Sequence, residues 1–126
     1  MTRASARSGS PFESSIGFSR AVRVGATIAV SGTAPVWPDG SVDPDPAVQA
    51  RRCWEIMLAA LEELGGTVDD VIRTQQYVVD PADGDAVGAV HGEIFGAVRP
   101  ASTMVEVSKL IDPQMLVEIE ADAYLP

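Results

Sequence analysis

Val117-Glu118-Ile119-Glu120-Ala121-Asp122-Ala123 alternates apolar and acidic side chains without a break. Successive side chains of an extended chain point to opposite faces, so this run predicts a strand with one packed face and one face of carboxylates. The strand is expected to extend over Leu116–Tyr124. Its apolar face needs a partner layer, and two helical patterns supply one. Val48, Cys53, Ile56, Met57, Ala60, Leu61 and Leu64 recur at helical spacing between Pro46 and Leu64. Asp45 is the expected N-cap, Pro46 the first helical residue, and Gly65-Gly66 the stop. A second helix over about Asp85–Ala97 would bury Val87, Val90, Ile94 and Phe95, with Asp83 or Asp85 as its cap. Gly88, Gly92 and Gly96 weaken that helix, but their four-residue spacing suits a close approach to a sheet.

Three more strand regions complete the pattern. Val71–Val79 is rich in β-branched residues. Strict alternation would put Val71, Arg73, Gln75, Tyr77 and Val79 on one face, and Ile72, Thr74, Gln76 and Val78 on the other. Ser102–Val107 reads as a strand. Phe18–Val24 and Thr27–Ser31 flank the turn signal Gly25-Ala26 as a hairpin. Pro35–Pro46 is proline-rich and reads as a surface loop. The predicted order is therefore β-β-α-β-α-β-β in one domain over residues 16–126, after a polar tail over 1–15 expected to be flexible. Two helices cover only one face of such a sheet. The other face must be polar or covered by a partner, which points to an oligomer.

Composition narrows the function. The chain has 126 residues, 46% hydrophobic and 21% charged, which suits one globular domain. Nine basic residues against 18 acidic ones give a net charge of -9, so no nucleic-acid partner is expected. No apolar run approaches the roughly 18 to 20 residues that span a bilayer, and Met1–Ser10 is not followed by the apolar core of a secretory signal. No membrane partner is expected either. Cys53 is the single cysteine, so no intrachain disulfide can form, which fits a cytoplasmic location. Cys53 reads as a small buried hydrophobe. There is no cysteine pair, no His-x-x-x-His and no glycine-rich phosphate loop, so neither metal nor cofactor is expected.

Three constellations can carry chemistry. Glu118, Glu120 and Asp122 share one strand face, where like charges raise one another's pKa and can make a proton donor. A solvated outer face is the plainer reading. His91-Gly92-Glu93 lies on the second helix, where a lone histidine is more often structural than catalytic. Ser31-Gly32-Thr33 ends a strand and offers backbone and hydroxyl donors to a ligand, or is only a strand-to-loop transition. A Cys53/His91 nucleophile pair lacks any recognisable context.

In order along the chain, these fragments resemble the Rid (reactive-intermediate deaminase, YjgF-like) family. Ile16-Gly17-Phe18-Ser19-Arg20-Ala21-Val22 is similar to its N-terminal Gly-aromatic-Ser-x-Ala-Val segment, and Ser31-Gly32 to its strand-end Ser-Gly. Gln49 with its helix, and Val71–Val79 with Asp80, match the first helix and the strand after it. Pro100-Ala101-Ser102-Thr103 resembles the Pro-Ala-Arg-Ser block, and Val117–Ala123 the closing Val-Glu-Ile-Glu-Ala-x-Ala. The resemblance implies a chorismate-mutase-like (YjgF-like) α/β fold. Its mixed β-sheet would carry two helices on one face and form the barrel of a homotrimer, with ligand clefts between subunits. It also implies a small-molecule ligand, with Glu120 as the catalytic, water-delivering residue. Phe18, Ser31, Gly32, Gly88, Ser102 and Thr103 are the implied substrate-binding positions.

Departures from the family pattern shape the functional expectation. The arginine that clamps a substrate carboxylate is Ser102 here, and a hydroxyl has neither its charge nor its fork. Gly88 stands where the family has asparagine, and Phe18 lacks the phenol hydroxyl often found there. Deamination of 2-iminobutanoate-type substrates is therefore expected to be weak or absent. The expected function is binding, with or without hydrolysis, of a different imine- or enamine-type metabolite, with Arg20 or Arg99 as a candidate replacement charge. The alternative is a non-catalytic binding or regulatory trimer.

Overall fold

The computed structural model describes residues 2–126. Eight elements make up most of it: β1 (Arg3–Ala6), β2 (Ala21–Val24), β3 (Thr27–Thr33), α1 (Pro46–Glu63), β4 (Val71–Val78), α2 (Gly84–Phe95), β5 (Ala101–Glu106) and β6 (Val117–Tyr124). The strands form one six-stranded sheet in the order β1-β2-β3-β6-β4-β5. Only β4 and β5 run parallel, joined by the α2 crossover; every other neighbouring pair is antiparallel. The sheet is thus mixed, with both long helices on one face.

The last strand in sequence lies inside the sheet, between β3 and β4. Its alternation is realised as read: Val117, Ile119, Ala121 and Ala123 are buried, while Glu118, Glu120 and Asp122 are only partly covered. Against the apolar face packs α1, through Cys53, Trp54, Met57, Ala60 and Leu61. Asp45 caps that helix by accepting from the N–H groups of Ala47 and Val48. Its second turn carries a buried polar anchor. Gln49 Nε2 donates to the carbonyls of Asp43 (2.7 Å) and Gln114 (2.9 Å), and its Oε1 accepts from Leu116 N–H (2.7 Å). One side-chain amide therefore ties the loop before α1 to the loop that feeds β6.

Four expectations need correction. Residues 1–15 do not form a flexible tail where the chain is described, and Met1 lies outside the described residues. β1 pairs with β2 from Arg3↔Val24 to Ala6↔Ala21, and Ala6 is 1% exposed. What fixes this segment is polar. Buried Glu13, at the start of a short π-helical turn (Glu13–Gly17), accepts from Ser8 N–H, Ser8 Oγ and Ser10 N–H at 3.2, 2.9 and 3.0 Å. Burial alone would raise the Glu13 pKa; these hydrogen bonds, with the charge of Arg20, outweigh it and hold the carboxyl below its usual range.

The second correction concerns β4. Val71 is buried although Arg73 is exposed, because the pairing with β6 shifts register between them. This irregularity reverses the parity at the strand's start and leaves Ile72 exposed. Third, Asp83 occupies the cap position of α2 without a capping hydrogen bond; Asp80 instead caps the preceding 3-10 turn by accepting from Ala82 N–H. Fourth, the glycines of α2 do not let it approach the sheet closely. A Cβ at Gly88 would meet Met104 only at 4.0 Å, and one at Gly92 would meet nothing within 4 Å.

Replacing Gln49 by Met keeps its length and removes its polar atoms. One buried N–H and two carbonyls then lose their partner, which should lower unfolding free energy by about 3 kcal/mol. Urea denaturation of the variant against the parent protein measures this; a loss under about 1 kcal/mol would mean that water replaces the amide.

Candidate functional site

The expected site residues fall into two groups on opposite faces of the sheet. The first group gathers around β3 and β6, with its acidic row on the face away from the helices. Arg20, just before β2, is buried and donates from Nη1 to the Gly32 carbonyl and to Thr33 Oγ1 (3.2 Å), and from Nε to Ser8 Oγ (3.3 Å). Its guanidinium lies over the Phe18 ring, 5.5 Å from the centroid. Ser31 sits in a β3 irregularity, where pairing with β6 shifts between Val30 and Thr33. Its hydroxyl donates inward to the Ser19 carbonyl at 2.6 Å, so the serine holds the loop and has only lone pairs left for a ligand.

Gly32 makes room for Glu118: a Cβ at position 32 would stand 2.5 Å from Glu118 Oε2. Any other residue at position 32 would displace that carboxylate. Two residues along β6, Glu120 accepts a hydrogen bond from the Tyr77 hydroxyl. The phenol is pushed up to about 12 by this hydrogen bond, with smaller contributions from burial and from the charges of Glu120 and Glu118. Thr103 lies in the same row, since β5 pairs Thr103 with Gln75 and β6 pairs Gln75 with Glu120. Glu118 is the carboxyl whose titration is displaced upward: burial raises it, Arg20 opposes, and the like charge of Glu120 adds to the rise. Asp122, the third member of the row, stands 3.9 Å from Arg73 at the surface.

The second group lies on the helix-covered face, at the β4–β5 edge. Ser102 is paired with Thr74, and Thr74 Oγ1 donates to Ser102 Oγ at 2.7 Å. His91 Nε2 is 2.8 Å from the same Thr74 oxygen. Gln76 Nε2 points at Ser102 Oγ from 3.4 Å. Gly88 is one turn before His91 on α2. Burial lowers the pKa of His91, whose ring packs on Phe95 and against the edge of Trp54, with centroids 4.6 and 5.7 Å away. Glu93 faces elsewhere and pairs with Arg51. Cys53 is buried with Sγ toward the Val117 carbonyl, and burial drives its thiol strongly up, so it forms no nucleophile pair with His91. Neither candidate arginine fills the place beside Ser102 as an ion partner. Arg20 is engaged near Gly32, and Arg99 is exposed at a left-handed backbone position, φ 56°.

A cavity of about 600 Å³ opens between α1, the loop after β3 and residues 7–12, with Arg20 and Thr33 of the first group in its lining. Arg52 crosses its wall, stacked on Trp37 at 4.5 Å and hydrogen-bonded to the Val36 carbonyl. Neither Glu120 nor Ser102 lines it. The residues that sequence reasoning missed are Tyr77, Thr74 and Gln76. Each sits in a strand pattern with no motif of its own, and only cross-strand register brings it to the site.

The family model described as Endoribonuclease L-PSP matches residues 9–125. The chain belongs to this family, the YjgF-like or Rid family. A Mycobacterium tuberculosis member of the YjgF/YER057c/UK114 family is 45% identical, with a TM-score of 0.91 over 98% of this chain and 100% of that one. The Escherichia coli YjgF structure is 32% identical, with a TM-score of 0.81 over 95% and 92%. A RutC family protein of Pyrococcus abyssi is 38% identical over 109 residues, 85% of each chain. The Rid fold thus accounts for the sheet order and for two helices on one face.

Glu118 of this Rid protein carries a pH signature. A carboxyl whose folded pKa lies above its unfolded one binds its proton more tightly when folded. Its stabilisation is complete below the unfolded value of about 4.3 and is lost as pH rises through the folded value. Glu118→Gln removes that titration. The variant should therefore be more stable than the parent at pH 7, with the difference closing near pH 4. Urea midpoints at both pH values measure it; a variant that is less stable at pH 7 contradicts burial as the governing cause.

Proposed function

We propose that this Rid-family chain assembles as a homotrimer and binds a small imine- or enamine-type metabolite in clefts between subunits. Glu120 then orients the water that hydrolyses it. The separation of Glu120 and Ser102 onto opposite faces of one sheet carries this reading. No single small ligand reaches both within one chain, whereas a neighbouring copy set against the open face can present its own edge strand. Ile72 and Val105, which are exposed near that edge, supply apolar surface for such a contact.

Substrate choice follows from position 102. A serine offers one neutral donor where a carboxylate would need a charged fork, so 2-iminobutanoate-type acids should be poor substrates. Glu120 is hydrogen-bonded to Tyr77 and stands two residues from a second carboxyl, Glu118, on the same strand face. RNA cleavage, which the family description names, fits this chain badly: the net charge is -9, and phosphate binding draws on clustered basic residues. A second reading, a trimer that binds without turnover, is favoured by the missing clamp alone.

Imines generated in situ by an amino-acid oxidase test the proposal. The parent protein should leave 2-iminobutanoate decay at the buffer rate, and Ser102→Arg should accelerate it by about tenfold or more. Among imines of varied side chain, at least one should be hydrolysed faster by the parent protein and not by Glu120→Gln. Buffer rates throughout would sink hydrolysis. A ligand co-purifying with both parent and Glu120→Gln would then mark the binding-only trimer, and a monomer by sedimentation would remove the cleft altogether.

A further inference from the structure

We infer that Ser102, Thr74 and His91 form a two-way hydrogen-bonding chain that takes an uncharged carbonyl or N–H group of the ligand where the family's arginine takes a carboxylate. This deepens the proposed function and rests on its cleft. Three observations carry it.

The chain is continuous and ends at the surface. His91 Nε2, Thr74 Oγ1 and Ser102 Oγ follow one another at 2.8 and 2.7 Å. Thr74 is 0% exposed, whereas Ser102 on the edge strand is open. A hydroxyl both donates and accepts, and a neutral imidazole has one nitrogen of each kind. With the proton on His91 Nε2, Thr74 accepts from the imidazole and donates to Ser102, whose own proton is free to meet a ligand carbonyl. With Nε2 unprotonated, Ser102 donates to Thr74 and Thr74 to the imidazole, so the Ser102 lone pairs face outward for a ligand N–H. One tautomeric change reverses the polarity of the whole chain.

The cluster also contains no fixed charge. Its members are two hydroxyls, an amide and an imidazole set among Trp54 and Phe95, and burial is the sole cause of the imidazole's downward shift. A carboxylate placed here would exchange water for a single neutral donor, which leaves most of its charge unanswered.

Finally, an acceptor waits beside Ser102. Gln76 is 3% exposed, its Nε2 points at Ser102, and its Oε1 has no hydrogen-bond partner among the described residues. A buried, unpaired amide oxygen costs free energy, and a ligand N–H, or Ser102 turned toward it, would satisfy it. Imines, enamines and carboxamides bear such a group; carboxylates do not.

His91 is the only histidine, so its ring nitrogens report on this chain without ambiguity. The trimeric parent protein, labelled with nitrogen-15, is titrated with 2-oxobutanamide and separately with 2-oxobutanoate at pH 7.5. The imidazole nitrogens and the Gly32 and Glu120 backbone amides are followed together. The amide probe should move the imidazole nitrogens saturably and bind about tenfold or more tightly than the acid. Ser102→Ala, at an exposed position, should abolish both the imidazole response and the preference. If Gly32 and Glu120 respond while His91 does not, or if the acid binds as well as the amide, this inference is overturned and the cleft survives. If no signal responds to either probe, both the inference and the cleft reading fail.

Discussion

A sheet has two faces, and this chain carries enough helix for one. β6 enforces that asymmetry from inside the sheet, because its buried residues are apolar and its alternate residues are carboxylates. A register slip of one residue would put Glu118, Glu120 and Asp122 beneath α1, where burying unpaired carboxylates is prohibitive. The strand order, the single covered face and the location of the acidic row all follow from that constraint. So does the use of Gln49, which pins the loop entering β6 to the helix that covers it.

The two faces then carry different electrostatics. Along β6, charge is answered by charge or by a strong donor: Arg20 lies near Glu118, and Tyr77 donates to Glu120. At the β4–β5 edge, nothing is ionised at neutral pH among Ser102, Thr74, Gln76 and His91. Thr74 is bonded on both sides and Ser102 accepts from Thr74 and Gln76, whereas the buried Gln76 Oε1 has no partner among the described residues. Position 102 thus belongs to a neutral hydrogen-bonded network at the sheet edge.

Legibility in the sequence followed the type of force involved. α1 and β6 were readable because apolar periodicity is local, and their bounds came within a residue or so of the observed ones. The N-terminal segment was not, because three hydrogen bonds to Glu13 and pairing with β2 hold it, neither of which leaves a periodic trace. Val71 was assigned to the wrong face because an irregularity in strand pairing is invisible to alternation. Among site residues, Glu120 and Ser102 were marked by motif, whereas Tyr77 and Thr74 depend on which residue lies across the strand. That dependence is set by register between segments more than 25 residues apart, and no spacing rule reports it.

Glu118 and Glu120 show the same limit at its sharpest. Both are glutamates on one face of one strand, two residues apart, and alternation treats them identically. Their neighbours do not. Glu120 meets a phenol that donates to it. Glu118 packs against the bare backbone of Gly32, where burial outweighs the nearby guanidinium of Arg20 and favours the protonated form. The difference between them is thus written in Tyr77 and Gly32 as much as in the glutamates themselves.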